Sequence, residues 1–148
     1  MKSRRDPANG IADIALVLPK ARNHPTGGFL VNQELVRSGR QHVTHYGGAD
    51  ELERALCECA SARLTFVDSL TLFDEKQRRV ATEHASKRPV ALLAHSLPSL
   101  IPAPRVALRR RQLLGEREFL AVCAGAIAPS SFMVKALHRR GLDSRRVE

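Results

Sequence analysis

Tryptophan is absent from this chain, tyrosine occurs once, and aromatic residues make up only 4% of its 148 positions. Proteins that hold single-stranded nucleic acid stack bases on aromatic side chains, so this scarcity argues against such a role. The one aromatic residue in the most basic helical segment is Phe119, and no RNP, KH, helix-turn-helix or finger signature is present. Nucleic acid is therefore not an expected partner. Cysteine is scarce too: Cys57, Cys59 and Cys123 are odd in number. Cys57 and Cys59 would project about 200° apart on a helix, which excludes a zinc finger and argues against a disulfide framework. No two histidines stand at metal-ligand spacing, so no metal is expected. Long apolar runs are also missing. "IALVLP" and "FLAVCAGAIAP" fall well short of the ~20 residues that cross a bilayer. The basic start "MKSRRDPANG" leads into Asp13 rather than a cleavage site. These absences predict a cytoplasmic protein with reduced thiols, able at most to rest on a membrane surface.

What is present points to one domain. A chain of 148 residues buries roughly 70% of the surface its unfolded form exposes, enough for a core that needs no staple. Residues 1 to 10 are polar, with Pro7 and Gly10, and read as a flexible leader; residues 11 to 148 form the domain. The net charge is +9 and is unevenly placed: residues 104 to 148 hold nine arginines and one lysine against four acidic residues. Such a surface favours phosphates, including anionic lipid headgroups.

The hydrophobic pattern alternates between two periods. Ile14 to Leu18 is a continuous apolar run, as in a strand covered on both faces. After the loop "KARNHPTGG", a helix is expected from near Thr26 to Gly39, with Val31 and Leu35 on one face. "HVTHY", "LTFV", "PVALLA" and Ala126 to Ala128 read as further strands. Between and after them fall helical segments: "ADELERALCECASA", "FDEKQRRVATEHAS", Arg105 to Val122 and Ser131 to Arg140. On the last helix Phe132, Met133, Ala136 and Leu137 form the expected buried face, and "RRVE" reads as the start of one more strand. Five strands alternating with helices imply an α/β, Rossmann-like three-layer sandwich with a mostly parallel sheet.

In such a sheet ligands bind beyond the carboxyl ends of the strands, where strand order reverses. Three stretches arrive there. Gly27 and Gly28 open the first helix, whose free N–H groups suit an anion, although the pair lacks the spacing of a dinucleotide or P-loop motif. His95, beside Ser96, follows the fourth strand and could bond a hydroxyl or phosphate, act as a general base, or simply satisfy a backbone carbonyl. Ser130 or Ser131 follows Pro129 and caps the last helix.

The order of "GGFLVNQELVRSGR", "ALLAHSLPSL" and "EREFLAVCAGAIAPSSFMVKALHRRGLDSRRVE" resembles the amino-terminal domain of GT-B glycosyltransferases of the family-4 type. The likeness runs over nearly all of residues 11 to 148. It implies a domain that binds the sugar acceptor, with Gly27 and Gly28 near the donor phosphates, and His95, Ser96 and Ser130 lining the cleft. His95 would lie beside the transferred sugar as its catalytic member. The donor would be a nucleotide sugar serving as substrate, with no separate cofactor or metal. The main donor pocket would belong to a carboxyl-terminal domain with an E-x7-E pattern, which these residues do not include, so the chain alone is expected to be inactive. Two departures stand out: "GRQHVTH" replaces a common Gly-His-x-Val, and Ser99 stands where some subgroups carry a carboxylate. The runner-up expectation is a non-catalytic α/β module that recognises phosphorylated or anionic lipid partners through the basic last third.

Overall fold

The computed structural model describes residues 13–21, 27–39 and 41–147. The proposed leader, His24 and Thr26 lie outside the described residues. The elements follow in strict alternation: β1 (Ile14–Pro19), α1 (Gly27–Ser38), β2 (His42–Tyr46), α2 (Ala49–Glu58), β3 (Leu64–Asp68), α3 (Glu75–Lys87), β4 (Val90–Leu93), α4 (Val106–Val122), β5 (Gly125–Ile127) and α5 (Ser131–Arg139). Short 3-10 turns follow β3, β4 and α5.

All five strands are parallel, in the order β2-β1-β3-β4-β5. The chain steps outward from β1 to β2 and then returns past β1 to β3. Neighbouring strands β1 and β3 thus send their following segments in opposite directions, which makes the gap between their carboxyl ends the switch point.

Side-chain alternation divides the core in two. Ala15, Val17, Val67, Leu92 and Ala126 face α2 to α5 and join Leu52, Ala81, Phe119 and Leu137 in one large cluster. Leu16, Leu18 and Leu93 face the other way and pack with Leu35 of α1 and with Phe66. The result is a three-layer, Rossmann-like α/β sandwich. Full burial of a Leu or Phe side chain stabilises by about 1.5–3 kcal/mol, so the large cluster supplies most of the driving force. On the α1 side the layer is incomplete among the described residues. Leu64, Phe66, Ala91 and Ile127 line a groove of about 250 Å³, with Arg145 and Arg146 at its rim.

The helix ends follow local chemistry. Asp74 accepts from Gln77 N at 2.9 Å to cap α3, and the Ser130 hydroxyl accepts from Met133 N at 3.2 Å to cap α5. Gly141, at φ +97°, takes the left-handed position that closes α5, and Leu142 N reaches back to Leu137 O. Of the expected strand "RRVE", Arg145 and Arg146 lie in a 3-10 turn at Ser144–Arg146, Val147 makes a single parallel bridge to Ala126 of β5, and Glu148 lies outside the described residues.

Two expected core positions are corrected. Phe132 is 62% exposed, because on α5 it lies about 90° around the helix from the middle of the inward stripe Met133, Ala136 and Leu137. Val31 is 43% exposed as well; the buried member of α1 is its polar neighbour Asn32.

Candidate functional site

Asn32 is buried because a polar centre sits beneath it. Asp68 ends β3 on the α1 side of the sheet and is 1% exposed. One of its carboxylate oxygens accepts from Leu70 N at 2.7 Å, capping the turn that follows; the other accepts from Asn32 Nδ2 at 2.5 Å. The Asn32 carbonyl oxygen lies 2.9 Å from His95 Nε2. The same His95 nitrogen is 3.8 Å from Asp68 Oδ2, too far for a hydrogen bond, so carboxylate and ring communicate through the amide. Ser69, fully buried, accepts from both His95 N at 3.1 Å and Ser96 N at 3.2 Å. The turn after β4 is thereby fastened to the end of β3.

The glycine pair divides its work. A Cβ added at Gly28 would lie 2.9 Å from His95 Cγ and 3.1 Å from Cδ2, whereas one added at Gly27 would meet nothing within 4 Å. Gly28 is therefore the residue that lets the His95 side chain pack closely against the first turn of α1. Gly27 begins that helix, and the dipole at a helix start favours an oxygen-rich ligand.

The structure thus brings Gly28, His95 and Ser96 together at the carboxyl ends of β1, β3 and β4. Ser130 serves α5 instead, and among the described residues it has no hydrogen bond to this group. Asn32, Asp68 and Ser69 escaped the sequence reading, although signals existed. Asp68 and Ser69 are the polar pair on which the apolar run of β3 stops, and Asn32 stands one helical turn beyond Gly28. Beside Asn32 lies a pocket of about 310 Å³ whose floor and walls are mainly Leu18, Pro19, Phe29 and Val36, with His45 and Arg37 at its edge.

A second buried polar group sits among the 3-10 turn Pro98–Leu100, α4 and the end of α5. Glu116 is fully buried; it accepts from Ser99 N at 2.6 Å, from Ser99 Oγ at 2.7 Å and from Arg140 Nε at 2.7 Å. Arg140 also bonds Ser99 Oγ through a second nitrogen and Ala136 O at 2.8 Å. Ser99 is thus a partner of a buried carboxylate supplied by α4.

The cysteines are free: Cys57 is exposed, while Cys59 and Cys123 are buried. Burial pushes both buried thiols above the ordinary cysteine range, which suits core packing and opposes nucleophilic use. Among the described residues no helix is long and apolar enough to cross a membrane.

Together these elements define a parallel, Rossmann-like α/β protein with a polar crevice at the switch point of the sheet. Comparison with protein-family models and with curated proteins gives no match that would carry this class to a particular family.

Proposed function

We propose that this chain is the acceptor-binding half of a sugar transferase of the GT-B, family-4-like type. The observation that carries the reading is the packing of His95 on Gly28 at the switch point, with the start of α1 at Gly27 beside it. An imidazole and a helix start in one crevice suit a polyhydroxylated ligand next to a phosphate. The pocket between α1 and β2 offers room for an acceptor. The groove at Phe66, Ala91 and Ile127 is the kind of apolar surface on which a second domain packs. Transfer needs donor-phosphate stabilisation and acceptor positioning across one cleft. Residues 1 to 148 incubated with a panel of nucleotide sugars and methyl hexosides are therefore expected to show no turnover. Turnover by this chain alone would overturn the half-enzyme reading.

A second reading rests on a different surface. Arg105, Arg109, Arg110 and Arg111 make no ion pair among the described residues, and they surround Val106, 85% exposed, and Leu108 on the free first turns of α4. This is the chemistry of peripheral contact with anionic lipid. Vesicles containing phosphatidylglycerol should retain the protein at low salt and release it at high salt. Substituting the three consecutive arginines by glutamate should abolish retention, and no retention at low salt would remove this reading.

A further inference from the structure

We infer that Asp68 and Asn32 are positioning residues that lock His95 in its Nε2–H tautomer, leaving Nδ1 as a hydrogen-bond acceptor for a ligand hydroxyl in the crevice. This deepens the acceptor-binding reading, but the lock itself is a property of the chain and stands or falls independently of sugar transfer.

A carboxylate oxygen only accepts, so the Asn32 group 2.5 Å from Asp68 Oδ2 must be the amide NH2. The Asn32 carbonyl oxygen then faces His95, and at 2.9 Å it requires a donor on Nε2. The opposite tautomer would set a ring lone pair against a carbonyl lone pair inside the protein. Gly28 packs closely against the His95 side chain. Ser69 holds the backbone N–H groups of His95 and Ser96. The amide cannot swivel because Asp68 is itself fixed by Leu70 N.

The other ring nitrogen, Nδ1, makes no hydrogen bond among the described residues, and it is not among the buried polar atoms that lack a partner. Among the described residues it is thus left for a ligand. An unprotonated Nδ1 accepts from a hydroxyl but offers nothing to a phosphate or carboxylate oxygen. The anionic part of a ligand must then be met elsewhere, at the helix start beside Gly27, while His95 takes a hydroxyl. Of the roles an imidazole could play here, the relay selects acceptance from a hydroxyl-bearing ligand.

The relay can be inverted with one isosteric change. In Asp68→Asn the new side chain keeps its oxygen toward Leu70 N, which places its NH2 against Asn32. Asn32 must then turn its carbonyl to position 68 and its NH2 to His95, forcing Nε2 to accept and Nδ1 to carry the proton. Long-range 1H–15N spectra of the imidazole groups read this directly, at a pH where the rings are neutral. The expected result is Nε2–H in the native protein and Nδ1–H in Asp68→Asn, with the backbone spectrum otherwise preserved. Native protein showing Nδ1–H or a rapidly averaging mixture would overturn the lock, whether or not the variant folds. An unchanged tautomer in a folded Asp68→Asn would also overturn it. Added inorganic phosphate should leave Nδ1 unprotonated; protonation there on phosphate addition would overturn the ligand assignment while leaving the relay intact. Transfer activity does not enter either readout, so failure of the lock and failure of the transferase reading remain distinguishable.

Discussion

The two buried polar groups of this protein are built from similar parts and end differently. At Glu116, Ser99 and Arg140 the chain closes on itself: serine and arginine donors surround the carboxylate, and Arg140 continues to Ala136 O within its own helix. At Asp68, Asn32 and His95 the chain of bonds starts on an equally buried carboxylate but stops on a ring whose outer nitrogen makes no hydrogen bond among the described residues. A closed network ties elements together, whereas an open one leaves an atom for a ligand. Burial and charge alone therefore do not mark a candidate site, because the fully buried carboxylate of the Glu116–Arg140 ion pair is already satisfied within the fold.

The largest effect should come from breaking the closed network. Arg140→Met strands a fully buried carboxylate on serine alone, and loss of one partner of such a pair costs about 3–5 kcal/mol. Chemical denaturation should show this as a lowered midpoint, with the crevice amides of the folded protein unmoved. Replacing Arg140 and Glu116 together by Met and Leu should recover most of the loss, since an apolar replacement leaves no orphaned charge.

Next in size is the packing beneath the open network. Gly28→Ala places a methyl 2.9 Å from the imidazole, which forces His95 aside at a cost of about 1–3 kcal/mol, offset by roughly 1 kcal/mol of helix propensity. Its signature is a displaced His95 side-chain signal. Ser69→Ala removes the acceptor shared by two backbone N–H groups, a loss of about 1–3 kcal/mol that should raise amide exchange at His95 and Ser96. Gly27→Ala has open space and ordinary backbone, so it should be neutral or stabilise by up to about 1 kcal/mol. The pair of alanine variants therefore separates the glycine that packs the ring from the one that opens the helix start. Smallest of all, thiol labelling near neutral pH should modify Cys57 readily and spare Cys59 and Cys123, whose burial raises their thiols. Equal reactivity of all three would mean that the core is open.

Much of this architecture is legible in the sequence because it depends on local periodicity. The continuous apolar runs of β1 and β4 announce strands buried on both faces, and α2 buries Leu52, Ala55 and Leu56 at helical spacing. The ring and the glycines were legible too, since switch-point logic places them at one edge. Asn32 was not, because a polar residue on a weakly amphipathic helix reads as solvated until its partner on β3 is known. Phe132 misled for the opposite reason: its size suggests the core, but its angle on α5 does not point there. Glu116 escaped as well, as a buried carboxylate becomes recognisable only when Arg140, 24 residues away, folds back onto it. Contacts across such distances follow from topology, which spacing along the chain does not encode.

Ligand recognition at the crevice where β1, β3 and β4 end is tested most directly by following backbone amide shifts of the native protein during titration with a panel of methyl hexosides. The expected result is saturable shifts concentrated at Gly27, Gly28, His95 and Ser96, and their loss in Gly28→Ala. Shifts confined to α4, or none at the crevice with any member of the panel, would contradict it.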